Sequence, residues 1–352
     1  MGRLYGAVSD LGVEVEGYSL RLNRKEVSKG FERVTTEITV HGDSEKGRGE
    51  DVTYDAESHR NWVDLESKTN LTGSFSLDGF SNRLDGIDLF PGDPPRPYYR
   101  NYRRWGLESA VLDLALKQAE TNLGGILGRD YSDVRFVVSR DLGDPPSVEK
   151  LHDVVDIYPE AEFKLDATTE WDSELVSEIP EEKVMILDMK GMYDEDLDVS
   201  QPPDPSLYSL VSDSFPDAII EDPKLTDETR GILSDYGGRI SWDKPVESLA
   251  DVKSVESETG ETCINIKPSR FGTVESLFDS IDYCENNGIM MYGGGQFELG
   301  VGREQIQCLA SLFYPDSPND VAPRSYNSPP FEGAPRSPLE TPPNTNRDGF
   351  GL

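Results

Sequence analysis

The chain has 352 residues, and its 67 acidic side chains outnumber the 34 basic ones, so the formal charge at pH 7 is −33. A surface this negative repels nucleic acid phosphates and anionic lipid headgroups, which argues against nucleic acid and membrane surfaces as partners. Hydrophobic residues make up only 36% of the chain, but they occur in patterned runs, so we expect a folded core. The length fits one large domain with an appendage, or two ordinary domains.

The sequence also indicates where the protein works. Its apolar stretches are all shorter than the roughly 20 residues that a membrane span needs, and residues 1–10 lack the basic start and apolar block of a secretory signal. We therefore expect a cytoplasmic protein. The cysteines are odd in number and lack metal-type spacing, which is typical of structural thiols in a reducing compartment. They are Cys263, Cys284 and Cys308.

The distribution of the acidic residues gives a second indication. Asp and Glu occur in nearly every segment and are not gathered in one tail. This pattern is typical of halophilic proteins, because molar salt screens charge over a few ångströms and makes a large net charge tolerable. An ordinary acidic protein is the alternative.

The first 130 residues are expected to combine a sheet and a helix. Period-two alternation predicts antiparallel strands, and the glycine-rich stretch 42–49 is predicted to be a turn between two of them. The predicted strands are residues 13–16, 34–40 and 50–53. Apolar residues at helical spacing predict one long helix over 105–127, preceded by a Pro-, Gly- and Tyr-rich loop at 85–103.

From residue 134 onward, short apolar runs end in a polar residue and are followed by helical stretches. This alternation predicts a parallel sheet, and an eighth segment around Val321 would close it into a barrel. The fold class is therefore α/β, a (β/α)7-8 TIM-type barrel with an N-terminal α+β domain. The seven predicted strands are residues 134–139, 161–166, 184–190, 218–222, 239–243, 263–267 and 288–292.

Acidic side chains occupy the ends of three successive predicted strands, and a lysine follows on the next. In such barrels the chemistry lies at the carboxyl ends of the strands. The residues are Asp188, Glu221, Asp243 and Lys267. Three converging carboxylates repel one another unless a cation lies between them, and a set of oxygen ligands suits Mg²⁺. A single acid at a strand end is more often a cap or an ion-pair partner, but four such residues in register favour a catalytic site.

The expected chemistry follows from that ion. Mg²⁺ bound to a substrate carboxylate can stabilise the enediolate that forms when the adjacent C–H group loses its proton. Positive charge beside a lysine favours the neutral amine, which is the form that acts as a base. These residues therefore predict proton removal next to a carboxylate.

The order of these segments resembles the enolase superfamily, closest to its muconate-lactonising branch. The resemblance covers residues 30–313 and includes the helix that starts near Glu108 and the segment 295–302. The elements that carry it are residues 164–166, 187–190, 219–223, 240–246 and 264–272.

The resemblance implies a division into domains. Residues 1–130 would form a capping domain whose loops, near 15–30 and 43–60, select the substrate. Residues 131–314 would form the barrel. Residues 315–352 are rich in Pro and Asn, and we expect this tail to be disordered or draped over the barrel.

The resemblance also implies a Mg²⁺-dependent lyase or isomerase that acts on a small organic acid, and it leaves a homo-oligomer open. Asp188, Glu221 and Asp243 would be the metal ligands, and Lys267 matches the lysine base of the family's sixth strand. Glu298 would help to hold the substrate. The rival reading is a barrel that lost catalysis and has a binding or regulatory role.

Two motifs depart from the pattern of the family. Lys164-Leu165-Asp166 replaces the usual Lys-x-Lys, and Asp188-Met189-Lys190 replaces Asp-x-Asn. A lysine has thus moved to the neighbouring strand, and Lys190 and Lys164 are predicted catalytic residues together with Lys267. The alternative for Lys190 is an ion pair with Asp166. We assign Asp166 and Arg270 to substrate binding.

Two weaker signals remain open. The glycines at 293–295 would either donate N–H groups to an anionic substrate or form a tight strand exit. Arg100, Arg103 and Arg104 would either cover a carboxylate substrate or form structural ion pairs. No histidine lies beyond His152, so the His-Asp base of the mandelate-racemase type is absent.

Overall fold

An N-terminal α+β domain packs on a barrel of parallel strands. The computed structural model describes residues 2–28, 31–64, 69–90, 92–194, 196–197, 199–341 and 347–352. Within these ranges, none of the helices combines the length and the apolar composition required to cross a bilayer.

The N-terminal domain contains two small antiparallel sheets, one of order β2-β3-β4 and one of β1 and β5. Its strands are β1 (Gly12–Val15), β2 (Gly17–Ser28), β3 (Phe31–Gly42), β4 (Glu45–Asp51) and β5 (Gly73–Ser76). Its helices are α1 (Arg3–Val8), α2 (Ala56–Asp64), α3 (Leu77–Asp85), α4 (Tyr99–Gln118) and α5 (Leu123–Leu127).

The glycine-rich stretch is a strand, so the predicted turn at 42–49 is wrong. The turn consists of residues 43–44 alone, both with positive φ, and β4 follows at once. A Cβ atom at Gly47 would collide with the backbone oxygen of Ala110, and one at Gly49 with that of Gly106. The glycines therefore let β4 pack directly on α4.

Two other elements differ from the sequence interpretation. Strand β2 was not predicted because polar and charged residues dominate it, although it pairs with β3 from Gly17 opposite His41 onward. Helix α4 begins at Tyr99 and ends at Gln118, and not at 105 and 127. Its first turn buries Tyr99 and Tyr102, with ring centroids 5.9 Å apart, so the tyrosine-rich stretch is partly helical.

Seven strands of the C-terminal domain form one parallel sheet in chain order. They are β6 (Val138–Arg140), β7 (Phe163–Asp166), β8 (Val184–Asp188), β9 (Ile219–Glu221), β10 (Ile240–Trp242), β11 (Cys263–Ile266) and β12 (Met290–Gly293). Asn319 forms a parallel bridge with Phe136, and Asp320 forms one with Gly294. The segment before Val321 thus joins both edges of the sheet, and the predicted barrel is confirmed.

Short helices connect the strands, and several begin with side-chain caps that satisfy free N–H groups. Asp172, Thr226, Ser248 and Thr273 each accept a hydrogen bond from the backbone three residues later. The helices are α6 (Glu149–Val155), α7 (Ser173–Glu178), α8 (Pro205–Ser214), α9 (Asp227–Ile232), α10 (Leu249–Thr259), α11 (Pro268–Phe271), α12 (Val274–Asn287) and α13 (Gly302–Phe313). Single 3-10 turns are Glu181–Lys183, Leu233–Arg239 and Arg324–Asn327.

The described part of the tail is draped over the domains. Tyr326 and Phe331 are buried, and Tyr326 packs edge-on against Phe136 of the barrel with ring centroids 5.5 Å apart. Phe350 packs edge-on against Trp105 of α4 at 6.2 Å. Aromatic residues therefore anchor this tail despite its many prolines, while residues 342–346 lie outside the described residues.

Candidate active site

The predicted site residues meet at the carboxyl end of the barrel. Asp166 and Asp188 are register partners on β7 and β8, and Asp188 and Glu221 are register partners on β8 and β9. Asp243 directly follows β10, and Lys267 directly follows β11. Asp188, Glu221 and Asp243 are fully buried. Parallel strands therefore bring the three predicted ligands and the predicted base to one mouth.

Two lysines, Lys164 and Lys190, pair with the carboxylates at the ends of β7, β8 and β9. Lys164 Nζ donates to Glu221 Oε1 at 2.6 Å and lies 3.4 Å from Asp188 Oδ2. Lys190 forms an ion pair with Asp188 and lies 3.2 Å from Asp166 Oδ1. The ion pair between Lys190 and Asp166 is thus present, within a larger network of alternating charges.

Asp243 is held by three other groups. Lys267 Nζ donates to its Oδ2 at 2.7 Å, while Arg270 donates from Nε to Oδ1 at 2.8 Å and from Nη2 to Oδ2 at 3.1 Å. The hydroxyl of Tyr193 donates to Oδ2 at 3.1 Å. Burial would raise the pKa of Asp243, but Arg270 and Lys267 hold it well below its usual range.

Polar side chains inside the barrel surround Glu221. The Tyr292 hydroxyl donates to its Oε2 at 2.6 Å, and Asn265 Nδ2 donates to the same oxygen at 3.3 Å. The hydroxyls of Tyr292 and Ser241 lie 2.7 Å apart. Burial, together with the neighbouring carboxylates, raises the pKa of Glu221 to about 7, although Lys164 opposes this shift. Glu221 is therefore more easily protonated than Asp188 or Asp243.

Left-handed backbone at two positions shapes the mouth. Asp222 has a φ of 49°, and its carboxylate accepts the N–H groups of Asp243 at 2.8 Å and Lys244 at 2.9 Å. Lys190 has a φ of 50°, and its N–H donates to Asp188 Oδ1 at 3.0 Å. Asp222 thus fixes the backbone at Asp243. This contact accounts for the acidic residue that stands between Glu221 and Pro223 in the sequence.

A cavity of about 410 Å³ opens above this cluster. Lys164, Lys190 and Lys267 line it at the strand ends. Val27 and Tyr54 of the N-terminal domain line it as well. They lie in the two regions predicted to select the substrate, so the N-terminal domain contributes to this cavity.

Tyr193 and Asp320 also line the cavity and were not predicted. Tyr193 lies in the loop after β8, and its ring centroid is 5.5 Å from Lys190 Nζ. Asp320 lies 3.4 Å from Lys164 Nζ on the segment that closes the barrel. Neither residue ends a long apolar run, which is the signal that identified the others. Recognition of a complete eighth strand would have placed Asp320 at the mouth.

Two predicted substrate-binding residues lie deeper. Among the described residues, the cavity lining includes neither Arg270 nor Glu298. Glu298 is buried, accepts the Gln296 N–H at 2.6 Å and lies 3.1 Å from Arg303 Nη2. In this conformation Arg270 and Glu298 hold other side chains in place, and their binding of substrate stays a prediction.

The arginines of the Tyr-rich segment form structural ion pairs. Arg103 is completely buried, and Arg104 forms an i,i+4 pair within α4. Arg100 pairs with Asp88 and Asp93, Arg103 pairs with Asp51, and Arg104 pairs with Asp85 and Glu108. Of the glycines at 293–295, Gly294 donates its N–H to the carbonyl of Ile266 at 3.0 Å within the barrel, whereas Gly295 lines the cavity, so a contact with an anionic substrate stays a prediction for Gly295.

A buried glutamate clamps the N-terminal domain to the barrel. Glu50 lies at the end of β4, and its carboxylate accepts N–H groups from Leu299 at 2.8 Å, from Gly300 at 2.9 Å and from Gly302 at 2.9 Å. These N–H groups precede and begin α13, where the positive end of the helix dipole favours an anion. The clamp fixes the N-terminal domain beside the loop that borders the cavity.

The three predicted metal ligands suit Mg²⁺ by donor type and position. All three are carboxylates, and they follow adjacent parallel strands. Within the described residues, no group of three or more His, Cys, Asp and Glu side chains is arranged to hold a metal ion. Lysine and arginine side chains supply the positive charge that these carboxylates require. In this conformation each of the three carboxylates is paired with a basic side chain, so their binding of Mg²⁺ stays a prediction.

Solved structures share this architecture. The muconate lactonizing enzyme of Pseudomonas putida is 18% identical, covers 86% of each chain and has a TM-score of 0.63. A dipeptide epimerase of Methylococcus capsulatus, solved with a Mg ion, is 18% identical, with 87% of this chain and 89% of that chain covered and a TM-score of 0.66. The chain therefore shares the fold of these two enzymes and of a solved enolase superfamily member from Listeria innocua, with an N-terminal domain packed on a C-terminal barrel.

The family of the chain is also clear. The two domains described for the DUF8230 family, both of unknown function, match residues 6–126 and 130–328. The chain belongs to this family. Among curated proteins it is similar to the o-succinylbenzoate synthase of Geobacillus stearothermophilus, with 26% identity over 243 residues. That match covers 64% of this chain and 60% of the synthase, so the chain spans less than two thirds of the relative's length.

Proposed function

We propose that the protein is a Mg²⁺-dependent enzyme that removes the proton α to the carboxylate of a small organic acid and then eliminates or isomerises the product. The observation that carries this proposal is the placement of Asp188, Glu221 and Asp243 on adjacent strand ends, with Lys267 Nζ 2.7 Å from Asp243. Relatives named as a synthase, a lactonizing enzyme and an epimerase support a lyase or isomerase. The halophilic and cytoplasmic assignments belong to the same proposal.

Asp188, Glu221 and Asp243 would hold the metal. When bound, the ion supplies positive charge opposite the substrate carboxylate, which favours loss of the adjacent proton. The Mg ion in the structurally similar epimerase supports this assignment. Asp222 contributes by fixing the backbone of Asp243 through its two N–H contacts.

The three lysines at the strand ends have different proposed roles in proton transfer. Lys267 lines the cavity and is the proposed base, acting as the neutral amine. Burial would lower the pKa values of Lys164 and Lys190, but the carboxylates beside them raise both well above the usual range. Both are therefore protonated while they contact these carboxylates, which suits an acid or an electrostatic stabiliser. Asp166 replaces the lysine of the usual motif, so this arrangement favours one-sided chemistry.

One observation favours the rival function, a non-catalytic binding protein. Arg270 contacts both oxygens of Asp243, and Lys267 contacts one of them, so this carboxylate is fully engaged without a metal. Replacement of the usual lysine by Asp166 points the same way. A barrel that has lost catalysis could keep such a pocket to bind an organic acid.

Hydrogen exchange separates the two functions. The protein would be incubated with Mg²⁺ and a panel of small carboxylic acids in D₂O, and deuterium at the α-carbon would be followed by NMR. The proposed function requires exchange with at least one acid. The absence of exchange across the panel, for protein that binds acids in the cavity, would favour the non-catalytic alternative.

A further inference from the structure

Arg33 is a buried arginine whose hydrogen bonds all go to the backbone. It lies on β3 and is 1% exposed, and its guanidinium donates five hydrogen bonds to carbonyl oxygens. Among the residues that the structure describes, no carboxylate oxygen lies within 4.0 Å of it. A charge without a counter-charge is costly to bury, so an apolar side chain would serve better if packing alone were required. The burial of this charge therefore indicates a role for its hydrogen bonds.

The acceptors of these hydrogen bonds belong to both domains. In the N-terminal domain, Nη2 donates to the carbonyl of Val52 and Nη1 to that of Thr53, both at 2.6 Å. In the barrel domain, Nη2 donates to the carbonyl of Gln296 at 2.8 Å and Nε to that of Phe297 at 3.3 Å. The fifth acceptor is a carbonyl of its own strand. One planar guanidinium, with its fixed fork of donors, thus joins two segments that are far apart in the sequence.

Both segments border the cavity above the strand ends. Tyr54 follows the N-terminal one and lines the cavity, as do Gln296 and Phe297 of the barrel. The guanidinium carbon of Arg33 lies 4.2 Å from the ring centroid of Tyr54, which is the distance of a cation–π contact. Arg33 itself is not one of the lining residues. It therefore stands behind a wall that Tyr54, Gln296 and Phe297 form at the boundary of the two domains.

The barrel side of this wall has a backbone conformation that needs support. Phe297 has a φ of 57°, in the left-handed region that is unfavourable for a bulky residue. Arg33 holds one side of the turn through its hydrogen bonds to the carbonyls of Gln296 and Phe297. Glu298 holds the other side, because its carboxylate accepts the Gln296 N–H at 2.6 Å. Loss of Arg33 would release one side and let the turn relax.

We propose that Arg33 is a positioning residue that joins segments 52–54 and 296–297 into one cavity wall, so that Tyr54 and Phe297 keep a fixed spacing across the domain boundary. Among the described residues, the strand-end carboxylates and Lys267 form none of their side-chain hydrogen bonds with these segments. The wall therefore affects ligand binding more than proton removal. This effect on the substrate rests on the proposed function, whereas the evidence for the wall lies in the hydrogen bonds of Arg33.

Amide hydrogen exchange, followed by mass spectrometry, tests the wall without a ligand. The N–H groups of Thr53 and Gln296 have acceptors at 2.9 and 2.6 Å, so they report on the two segments. Arg33→Met should speed amide exchange about 10-fold or more at both, because hydrogen bonds to a charged group are lost on each side. Strand β8 is the internal reference and should keep its exchange rate. Arg21→Met is the matched control, since Arg21 lies on the adjacent strand β2 and is 69% exposed, and it should change neither segment.

Arg33→Lys is the second variant, and it decides the question if Arg33→Met fails to fold. A lysine keeps the charge but lacks the planar fork, so it cannot hold the carbonyls of both segments, and amide exchange should rise in at least one of them. Unchanged amide exchange in both segments with a folded variant would overturn the wall. A rise that is equal in β8 would overturn it as well, because Arg33 would then support the fold in general.

The kinetics of α-hydrogen exchange add a readout that a merely structural role would not move. With an acid from the D₂O panel that exchanges with the wild type, Arg33→Met should raise KM by about 10-fold and lower kcat by less, because binding is weakened while Lys267 keeps its place. An unchanged KM, or a loss confined to kcat, would overturn the positioning role. If none of the acids exchanges with the wild type, the proposed function fails, and faster amide exchange at both segments would still support the wall.

Discussion

Arg103 and Asp51 form an ion pair in which both side chains are completely buried, with Nε 2.8 Å from Oδ2. The guanidinium also lies over the rings of Trp62 and Phe90, 4.3 and 3.8 Å from their centroids. The pair joins α4 to the end of β4, next to the glutamate that clamps the N-terminal domain to the barrel. It is therefore a structural element of the cap and not a substrate contact.

Removal of one charge from this pair should be costly. Asp51→Asn should lower the free energy of unfolding by about 3–5 kcal/mol, because Arg103 would remain buried without a counter-charge. Arg230→Ala is the control, since Arg230 and its partner Glu258 are 49% and 60% exposed, and it should cost less than about 1 kcal/mol. Urea unfolding followed by circular dichroism measures both. Equal losses for the two variants would contradict the structural role of the buried pair.

The same pair should make stability depend on pH. Burial would raise the pKa of Asp51, but Arg103 and His59 outweigh it and lower the pKa below its usual value. The stabilisation is then complete above the unfolded carboxyl pKa of about 3.9 and is lost as the pH falls through the folded value. The difference in unfolding free energy between wild type and Asp51→Asn should therefore shrink below about pH 4. A constant difference from pH 7 to pH 3 would argue against this linkage.

The net charge of −33 should make stability depend on salt. Self-repulsion opposes the compact state in dilute buffer, and the Debye length falls from about 10 Å at 0.1 M to about 3 Å at 1 M. The melting temperature should thus rise steeply between about 0.1 and 2 M KCl. Sucrose of equal osmolality is the control, because it leaves charge repulsion in place. A similar rise in both solutes would reject charge screening, and with it the halophilic interpretation.

The barrel could be predicted because its signal is local. Each parallel strand is buried on both faces and therefore appears as a short apolar run, and the next polar residue lies at the strand end by geometry. This rule is enough to predict that Asp188, Glu221 and Asp243 lie together. It does not reveal which basic side chains pair with them, because the side-chain conformations of Lys190 and Arg270 depend on all the nearby charges.

Other features depend on contacts between distant segments. Tyr193 lies in a loop, and only the fold brings it within 3.1 Å of Asp243. Gly47 and Gly49 resemble turn residues in the sequence, but they serve the close contact of β4 with α4. The position of Gln296 in the cavity lining cannot be read from the sequence either, since it is defined by the residues that surround it.

Metal binding should stabilise the fold. Mg²⁺ should raise the melting temperature and EDTA should lower it, because a ligand that binds only the folded state stabilises it by mass action. Glu221→Gln should abolish the difference between the two conditions by removing a predicted ligand. Glu258→Gln, at a side chain that is 60% exposed, is the matched control and should keep it. Equal melting of the wild type with and without Mg²⁺, at constant ionic strength, would count against the site.

The roles of the three lysines can be separated by exchange in D₂O. Lys267→Met should reduce exchange of the substrate's α-hydrogen by about 10²- to 10⁴-fold, the usual contribution of a general base, while the Mg²⁺-induced rise in melting temperature persists. Exchange should have one stereochemistry, because Asp166 replaces the second lysine of the usual motif and leaves Lys267 as the proposed base. Measurable exchange with Lys267→Met at the wild-type rate would show that another group is the base.

Lys190→Met distinguishes an acid from a base at the neighbouring strand. If Lys190 donates a proton or stabilises charge, this variant should block turnover and leave exchange intact, since proton removal by Lys267 precedes the step that needs an acid. Lys164→Met is the comparison, because Lys164 is only 2% exposed and donates to Glu221 at 2.6 Å, so its loss should free this predicted ligand and strengthen Mg²⁺ binding. Loss of exchange from the opposite face in either variant would mean that the site has two bases, and a racemase would then replace the one-sided enzyme.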